Sequence, residues 1–317
     1  MKRREFLEKA FAGGALLGSS VAVAAQAAGE MVIERPQAGK PHTGKVLAAI
    51  QPHSDDIPLF AAGTVAKLID EGYTGYLIRT TNDDMGDPPG EHGTVGQNVL
   101  GNERDNQEVA RILGLKRVFD LNYSNHQMDG ESRLEIRARF IFLIRLLKID
   151  TIICYDPSGH YEENPDHYVT AQCVEAACWM AGRELDYPEH FAAGLEPHAV
   201  QEKYYHARFP QFINRVVDIS PYFDKKVEAN RANRAKGPAG SNGSRLRKAL
   251  AARNLRLPLL GDDDLAAERE YIKQFVLAQD RELGRKYGLQ YAEQFHYIGP
   301  EASRVEEYIK QHAAPLR

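Results

Sequence analysis

The sequence predicts an α/β chain: a Rossmann-like, doubly wound, mostly parallel sheet with helices on both faces. Three observations point there. Short apolar runs that suit buried parallel strands alternate with stretches of helical periodicity. Residues able to do chemistry cluster just after two of those runs, at the carboxyl ends of strands, where ligands bind in open α/β sheets. The chain is also large enough, at 317 residues with 43% hydrophobic and 26% charged, to bury one large core.

Taken in order, Val46 to Ile50 is the first apolar run, followed by helical spacing across Leu59 to Leu68 and a stop at Gly72. Tyr73 to Thr81 reads as a second strand. Asp83 to Gly101, heavy in Gly, Pro and Asp, reads as a long loop. Glu103 to Leu113 is helical, Arg117 to Asn122 a strand, and Leu134 to Leu147 an amphipathic helix. Thr151 to Tyr155 is a strand and Asn164 to Gly182 a helix, completing the alternation expected of a parallel sheet. Beyond it, Val216 to Ser220 resembles a strand end, Pro221 opens a helix to about Lys236, and Leu265 to Tyr287 has a long helical pattern. Gly237 to Ser244 reads as a breaker, and residues 237–263 as a flexible peripheral insertion within one domain spanning 28–317.

The first 27 residues read as an export signal. Lys2-Arg3-Arg4-Glu5-Phe6-Leu7 is a charged opening with paired arginines, an uncharged Ala/Gly/Leu/Val stretch follows, and Ala25-Gln26-Ala27 offers a small-x-small cleavage site. This resembles a twin-arginine signal, a receptor-read address, so the expected location is periplasmic or extracellular, with membrane contact only during export. A formal net charge of −4 gives no basis for a nucleic-acid partner. Cys154, Cys173 and Cys178 sit in core-like patterns and do not form a disulfide framework.

The chemistry lies in two clusters. Pro52-His53-Ser54-Asp55-Asp56 follows the first strand, and its helical spacing puts His53 and Asp56 on one face with Asp55 beside it. An imidazole and a carboxylate converging there suit a borderline metal such as zinc, and a carboxylate beside the metal can take a proton from water. The plainer reading is that Ser54, Asp55 and Asp56 only cap a helix. The second cluster, Asp156 to His160 and then Asn164-Pro165-Asp166-His167, follows another strand, with Pro165 suited to a first helical position. His53, Asp56 and His167 then supply the three ligands of a catalytic zinc site that keeps one position open. Among weaker candidates, Arg104 could hold a substrate hydroxyl, and Asn125, His126 and Asp129 follow a strand end where they could line a pocket. Asp262-Asp263-Asp264 reads as a helix cap rather than a second metal site, and the basic run Arg245 to Arg256 as a solvated face.

At these residues the chain resembles the LmbE/PIG-L deacetylases, which remove acetyl groups from N-acetylglucosamine-type substrates. Pro52-His53-Ser54-Asp55-Asp56 is similar to the family's first motif and Asn164-Pro165-Asp166-His167 to its second; Thr80 to Gly86, Glu103 to Glu108, Val217 to Ser220 and Tyr291 to Phe295 resemble further family segments. The resemblance implies His53, Asp56 and His167 as ligands of Zn2+, or of another divalent metal such as Fe2+. It implies Asp55 as general base, and an N-acetylated sugar or glycan as substrate. The alternatives are a metal hydrolase of another amide or ester, and a glycan-binding member without activity. Ser54 replaces the family's usual proline. Asn164 stands where many members carry an oxyanion-stabilising histidine, which leaves Asn164 itself or His160, four residues upstream, as the group that holds the oxyanion.

Overall fold

A computed structural model describes residues 31–86, 93–159, 161–209, 211–300 and 303–315. The expected signal segment and His160 lie outside the described residues. Eight strands occur in chain order: β1 (Val32–Glu34), β2 (Val46–Gln51), β3 (Thr74–Thr81), β4 (Val118–Tyr123), β5 (Thr151–Tyr155), β6 (Glu202–His206), β7 (Arg215–Asp218) and β8 (Ala292–Ile298). The described helices are α1 (Asp56–Phe60), α2 (Ala62–Asp70), α3 (Val95–Leu113), α4 (Arg133–Leu147), α5 (Pro165–Ala181), α6 (Glu189–Ala192), α7 (Phe223–Ala232), α8 (Asn242–Ala251), α9 (Asp264–Tyr271), α10 (Ala278–Lys286) and α11 (Arg304–His312).

The strands form one sheet in the order β1-β7-β8-β6-β5-β2-β3-β4. All pairings are parallel except those of β8, which runs antiparallel to β6 and β7. Because side chains alternate across a strand, β2 feeds two cores. Leu47 and Ala49 join one with residues of α2, α3 and α7; Ala48 and Ile50 join the other with residues of α4 and α5. That is the expected doubly wound arrangement, and it places the ends of β2 and β5 side by side, since Leu47 to Ala49 register against Thr151 to Ile153.

Several expectations are corrected. The loop expected over 83–101 gives way to helix at Val95, because Thr94 and Gln97 form a capping box; Gly96 and Gly101 disguise that start in the sequence. The long helix expected over 265–287 is divided by a π-turn at Ile272–Val276. The segment read as a flexible peripheral insertion is folded: Ala239 is buried, α8 runs over 242–251, and Gly243 packs so closely on Ala267 that an added Cβ would stand 2.2 Å from its carbonyl oxygen. Its glycines serve close packing, where composition suggests flexibility. Asp263 caps α9 by accepting from the Ala266 N–H, and Arg247 and Lys248 of the basic run pair with Asp264. The three cysteines are free and buried.

Candidate metal centre

The chain leaves β2 at Gln51 and enters α1 at Asp56, so residues 52–55 make a tight turn at the strand's carboxyl end. The turn is held from below. Gln51 Oε1 accepts from the Ile57 N–H at 3.0 Å, and the Asp83 carboxylate accepts from the Ser54 N–H at 3.0 Å and from the Ser54 hydroxyl. Asp56 turns back on its own loop, accepting from the His53 N–H at 2.7 Å. None of Ser54, Asp55 and Asp56 caps α1 with its side chain, so the capping reading does not hold.

α5 brings the second cluster. Asn164 caps it, with Oδ1 accepting from the Asp166 N–H at 2.9 Å, and Pro165 takes the first helical position. His167 is thereby carried into the first turn, facing His53. The His53 Nδ1 and His167 Nε2 atoms stand 3.0 Å apart. Asp56 Oδ2 is 3.5 Å from His53 Nδ1, and Asp56 Oδ1 is 3.6 Å from His167 Nε2. All three residues are buried, and each offers a donor atom within 4.8 Å of the others.

The outward sides of both imidazoles meet carboxylates. His53 Nε2 donates to Asp166 Oδ2 at 2.9 Å, and His167 Nδ1 lies 3.1 Å from Glu162 Oε1. Such partners fix the tautomer and turn the opposite nitrogen inward. Tyr155 completes the wall: its hydroxyl donates to Asp56 Oδ1 at 2.8 Å, and its ring stacks on His167 at 4.1 Å between centroids. Burial keeps the Tyr155 hydroxyl protonated, well above its ordinary range. Burial opposes charge on His53, but hydrogen bonds to Asp166 and Asp56 outweigh it and raise its pKa to about 9. Burial likewise opposes the charge of Asp56, yet His167 and His53 hold its carboxyl well below the usual range. Two inward imidazole nitrogens and one carboxylate, all buried, fit a divalent cation of the zinc class.

Asp55 stands apart from this set. It makes no capping bond, and burial together with the neighbouring Asp56 pushes its pKa up to about 6, against the pull of Lys236 and His53. Of the weaker candidates, His126 reaches the centre. Its ring centroid is 6.5 Å from that of His53, its backbone takes φ 63°, and its N–H donates to Asp166 Oδ2 at 2.6 Å. Asn125 is buried beneath, accepting from the Met85 N–H and donating its own N–H to Asp84. Asp129 is exposed on a 3-10 turn. Arg104 is exposed on α3, where the inward face consists of Asn98, Asn102 and Asn106. An advance of two residues in a helix is about 200°, which turns Arg104 away from that face.

Sequence reading missed Tyr155, Glu162, Asp166 as a carboxylate partner of His53, and His206. The last is buried between Phe60, on which it stacks, and Tyr155, and desolvation lowers its pKa to about 3, keeping it neutral. The available signal was position: Tyr155 and His206 end neighbouring strands β5 and β6.

Comparison with known proteins finds similar sequences and similar folds. Diacetylchitobiose deacetylase of Thermococcus kodakarensis is 29% identical over 197 residues, covering 61% of this chain and 71% of the relative. Among solved structures, N,N'-diacetylchitobiose deacetylase from Pyrococcus horikoshii is similar in fold, with a TM-score of 0.64 and 23% identity over 80% of this chain and 84% of that one. The 4-carboxy-2-hydroxymuconate hydratase GalB from Pseudomonas putida shares the fold at a TM-score of 0.59, with 16% identity over 82% of this chain and 98% of that one. The PIG-L family model, described as GlcNAc-PI de-N-acetylase, matches residues 48–178, a stretch that runs from β2 into α5 and holds both clusters of metal-ligand candidates.

Proposed function

We propose that the chain is a PIG-L-family, metal-dependent N-deacetylase that hydrolyses the acetamide of an N-acetylglucosamine-type sugar or glycoconjugate, with zinc as its metal. The observation that carries the reading is the buried His53–Asp56–His167 set with a separate carboxylate, Asp55, next to it. A site that only bound a glycan would have no use for that second carboxylate. The similarity to a diacetylchitobiose deacetylase supports the substrate class.

His53, Asp56 and His167 would hold the metal, which when bound would lower the pKa of water and polarise the acetamide carbonyl. Asp55 accepts the proton of the attacking water as its oxygen bonds to the carbonyl carbon. The C–N bond then breaks, Asp55 returns its proton to the departing nitrogen, and the products are acetate and a free amine. Tyr155 keeps Asp56 oriented, while Asp166 and Glu162 aim the two imidazoles. The α5 cap uses only the side-chain oxygen of Asn164, so its amide NH2 can still donate, and we assign the oxyanion contact to Asn164, with His160 and His126 as the alternative donors. Mass spectrometry on N,N'-diacetylchitobiose and related sugars tests the reading: acetate and free amine in equal amounts are expected. Intact substrate across all N-acetylated sugars tried refutes it.

We further propose export by the twin-arginine route, on the strength of the Arg3-Arg4 opening and the Ala25-Gln26-Ala27 site. Among the described residues no helix is long and apolar enough to cross a membrane. Replacing both arginines with lysine is expected to leave the uncleaved chain in the cytoplasm; unchanged processing points to another route.

A further inference from the structure

Asp55 has a neighbour that lies far along the chain and outside the stretch matched by the family model. Where α7 ends at Ala232, the chain runs on towards Asp83 and Asp55, which Lys236 and Gly237 reach. Two backbone groups pin it there: the Arg234 and Ala235 N–H groups both donate to Asp105 Oδ2 of α3, at 2.6 and 2.7 Å. Ala235 seats against Gly101, where an added Cβ would come within 3.2 Å of the alanine methyl. The clamp directs Lys236 inward. Its side chain is only 14% exposed, and its Nζ meets Asp83 Oδ1 at 2.5 Å. The other oxygen of Asp83 holds the Ser54 N–H, one residue before Asp55. Gly237 follows with φ 92°, and its missing side chain is where Asp55 lies: a Cβ there would stand 2.8 Å from Asp55 Oδ2 and 2.9 Å from Asp55 Cβ.

We infer that Lys236 and Gly237 are positioning residues for the general base, a wall from the C-terminal half that sets where the Asp55 carboxylate points. Gly237 supplies the space and bounds it. Lys236 supplies a fixed positive charge that ties Asp83, and through it the Ser54–Asp55 turn, to the same segment. Asp105 is the anchor, which gives the Glu103-Arg104-Asp105 stretch of α3 a role that falls on its aspartate. The Ser54 turn is thus held by β3 from below and by the 234–237 segment from above.

The inference rests on Asp55 being the base of the proposed hydrolysis, so its test has two independent readouts. Wild type, Gly237→Ala, Lys236→Met and Lys236→Arg are compared for turnover of N,N'-diacetylchitobiose, and crystal structures locate the Asp55 carboxylate. Metal content and melting temperature are measured alongside. Lys236→Met and Gly237→Ala are expected to lose roughly 10- to 100-fold in kcat, the range for losing an outer-sphere partner. KM should stay within about twofold, because an interaction lost only in the transition state lowers kcat alone. Metal should be retained, while melting temperatures fall in Gly237→Ala, where φ is 92°, and in Lys236→Met, which removes a partner of buried Asp83. Lys236→Arg restores most of the loss. Wild-type kcat in Lys236→Met, or a loss of kcat matched by lost metal, overturns the inference. If the wild type turns over no N-acetylated sugar, the functional reading fails by itself. The Gly237→Ala structure still decides the positioning role, upheld by a displaced Asp55 carboxylate and overturned by an unmoved one.

Discussion

Two adjacent carboxylates divide the chemistry of the β2–α1 turn. Asp56 accepts from the His53 N–H and the Tyr155 hydroxyl and faces both imidazoles, so its charge is fully used in place. Asp55 has no such partners and carries the raised pKa. The asymmetry follows from the turn before α1, in which the Asp56 carboxylate folds back onto the His53 N–H while Asp55 makes no such bond. Asp55→Asn should therefore keep the metal and lose on the order of 10²-fold or more in turnover. Steady-state kinetics with elemental analysis checks this, and near-wild-type turnover would place the base elsewhere. The convergence of His53 and Asp56 was legible because a histidine and two carboxylates were compressed into four residues. The partners were not: Glu162 drew no notice and Asp166 stood in the second cluster without a role, and only the fold aims them at His167 and His53.

Strands β1, β6 and β8 escaped the sequence reading for one physical reason. Glu202-Lys-Tyr-Tyr-His and Ala292-Glu-Gln-Phe-His-Tyr-Ile have no apolar run, because their acids are neutralised inside the fold. Glu202 accepts from Tyr73, Tyr297 and Lys45; Glu293 accepts from the Gly63 and Thr64 N–H groups and pairs with Lys226. Glu34 does the same for β1, accepting from Lys67 of α2, Tyr204 of β6 and Arg215 of β7. Burial opposes its charge, but Lys67 and Arg215 lower its pKa below the ordinary 4.5. A depressed carboxyl stabilises the fold above its unfolded pKa, and this contribution is lost as pH falls through the folded value. Glu34→Gln should thus cost on the order of 3 kcal/mol at pH 7, the low end for breaking a buried ion pair, since Lys67 keeps Glu71 as a partner. Its deficit should shrink towards acid pH, where the wild type loses the same contribution. Thermal melts at neutral and acid pH read this, and a deficit that grows on acidification would contradict it.

At the scale of the whole molecule, the N-terminal half was the more legible. There, apolar parallel strands alternate with helices, and pattern alone locates the strand ends. The C-terminal half was less so, because it contributes through single contacts: an antiparallel strand with polar residues, a π-turn, and a glycine-rich segment that packs against Asp55 where composition suggests a flexible insertion. The sheet order places β2 and β5 side by side, and so joins two clusters more than a hundred residues apart into one centre. Every other functional statement depends on that junction. Elemental analysis of the purified wild type and of the single variants His53→Ala, Asp56→Ala and His167→Ala tests it most directly. The structure predicts about one divalent ion per chain in the wild type and its loss in each variant. Full metal content in all three variants would contradict it.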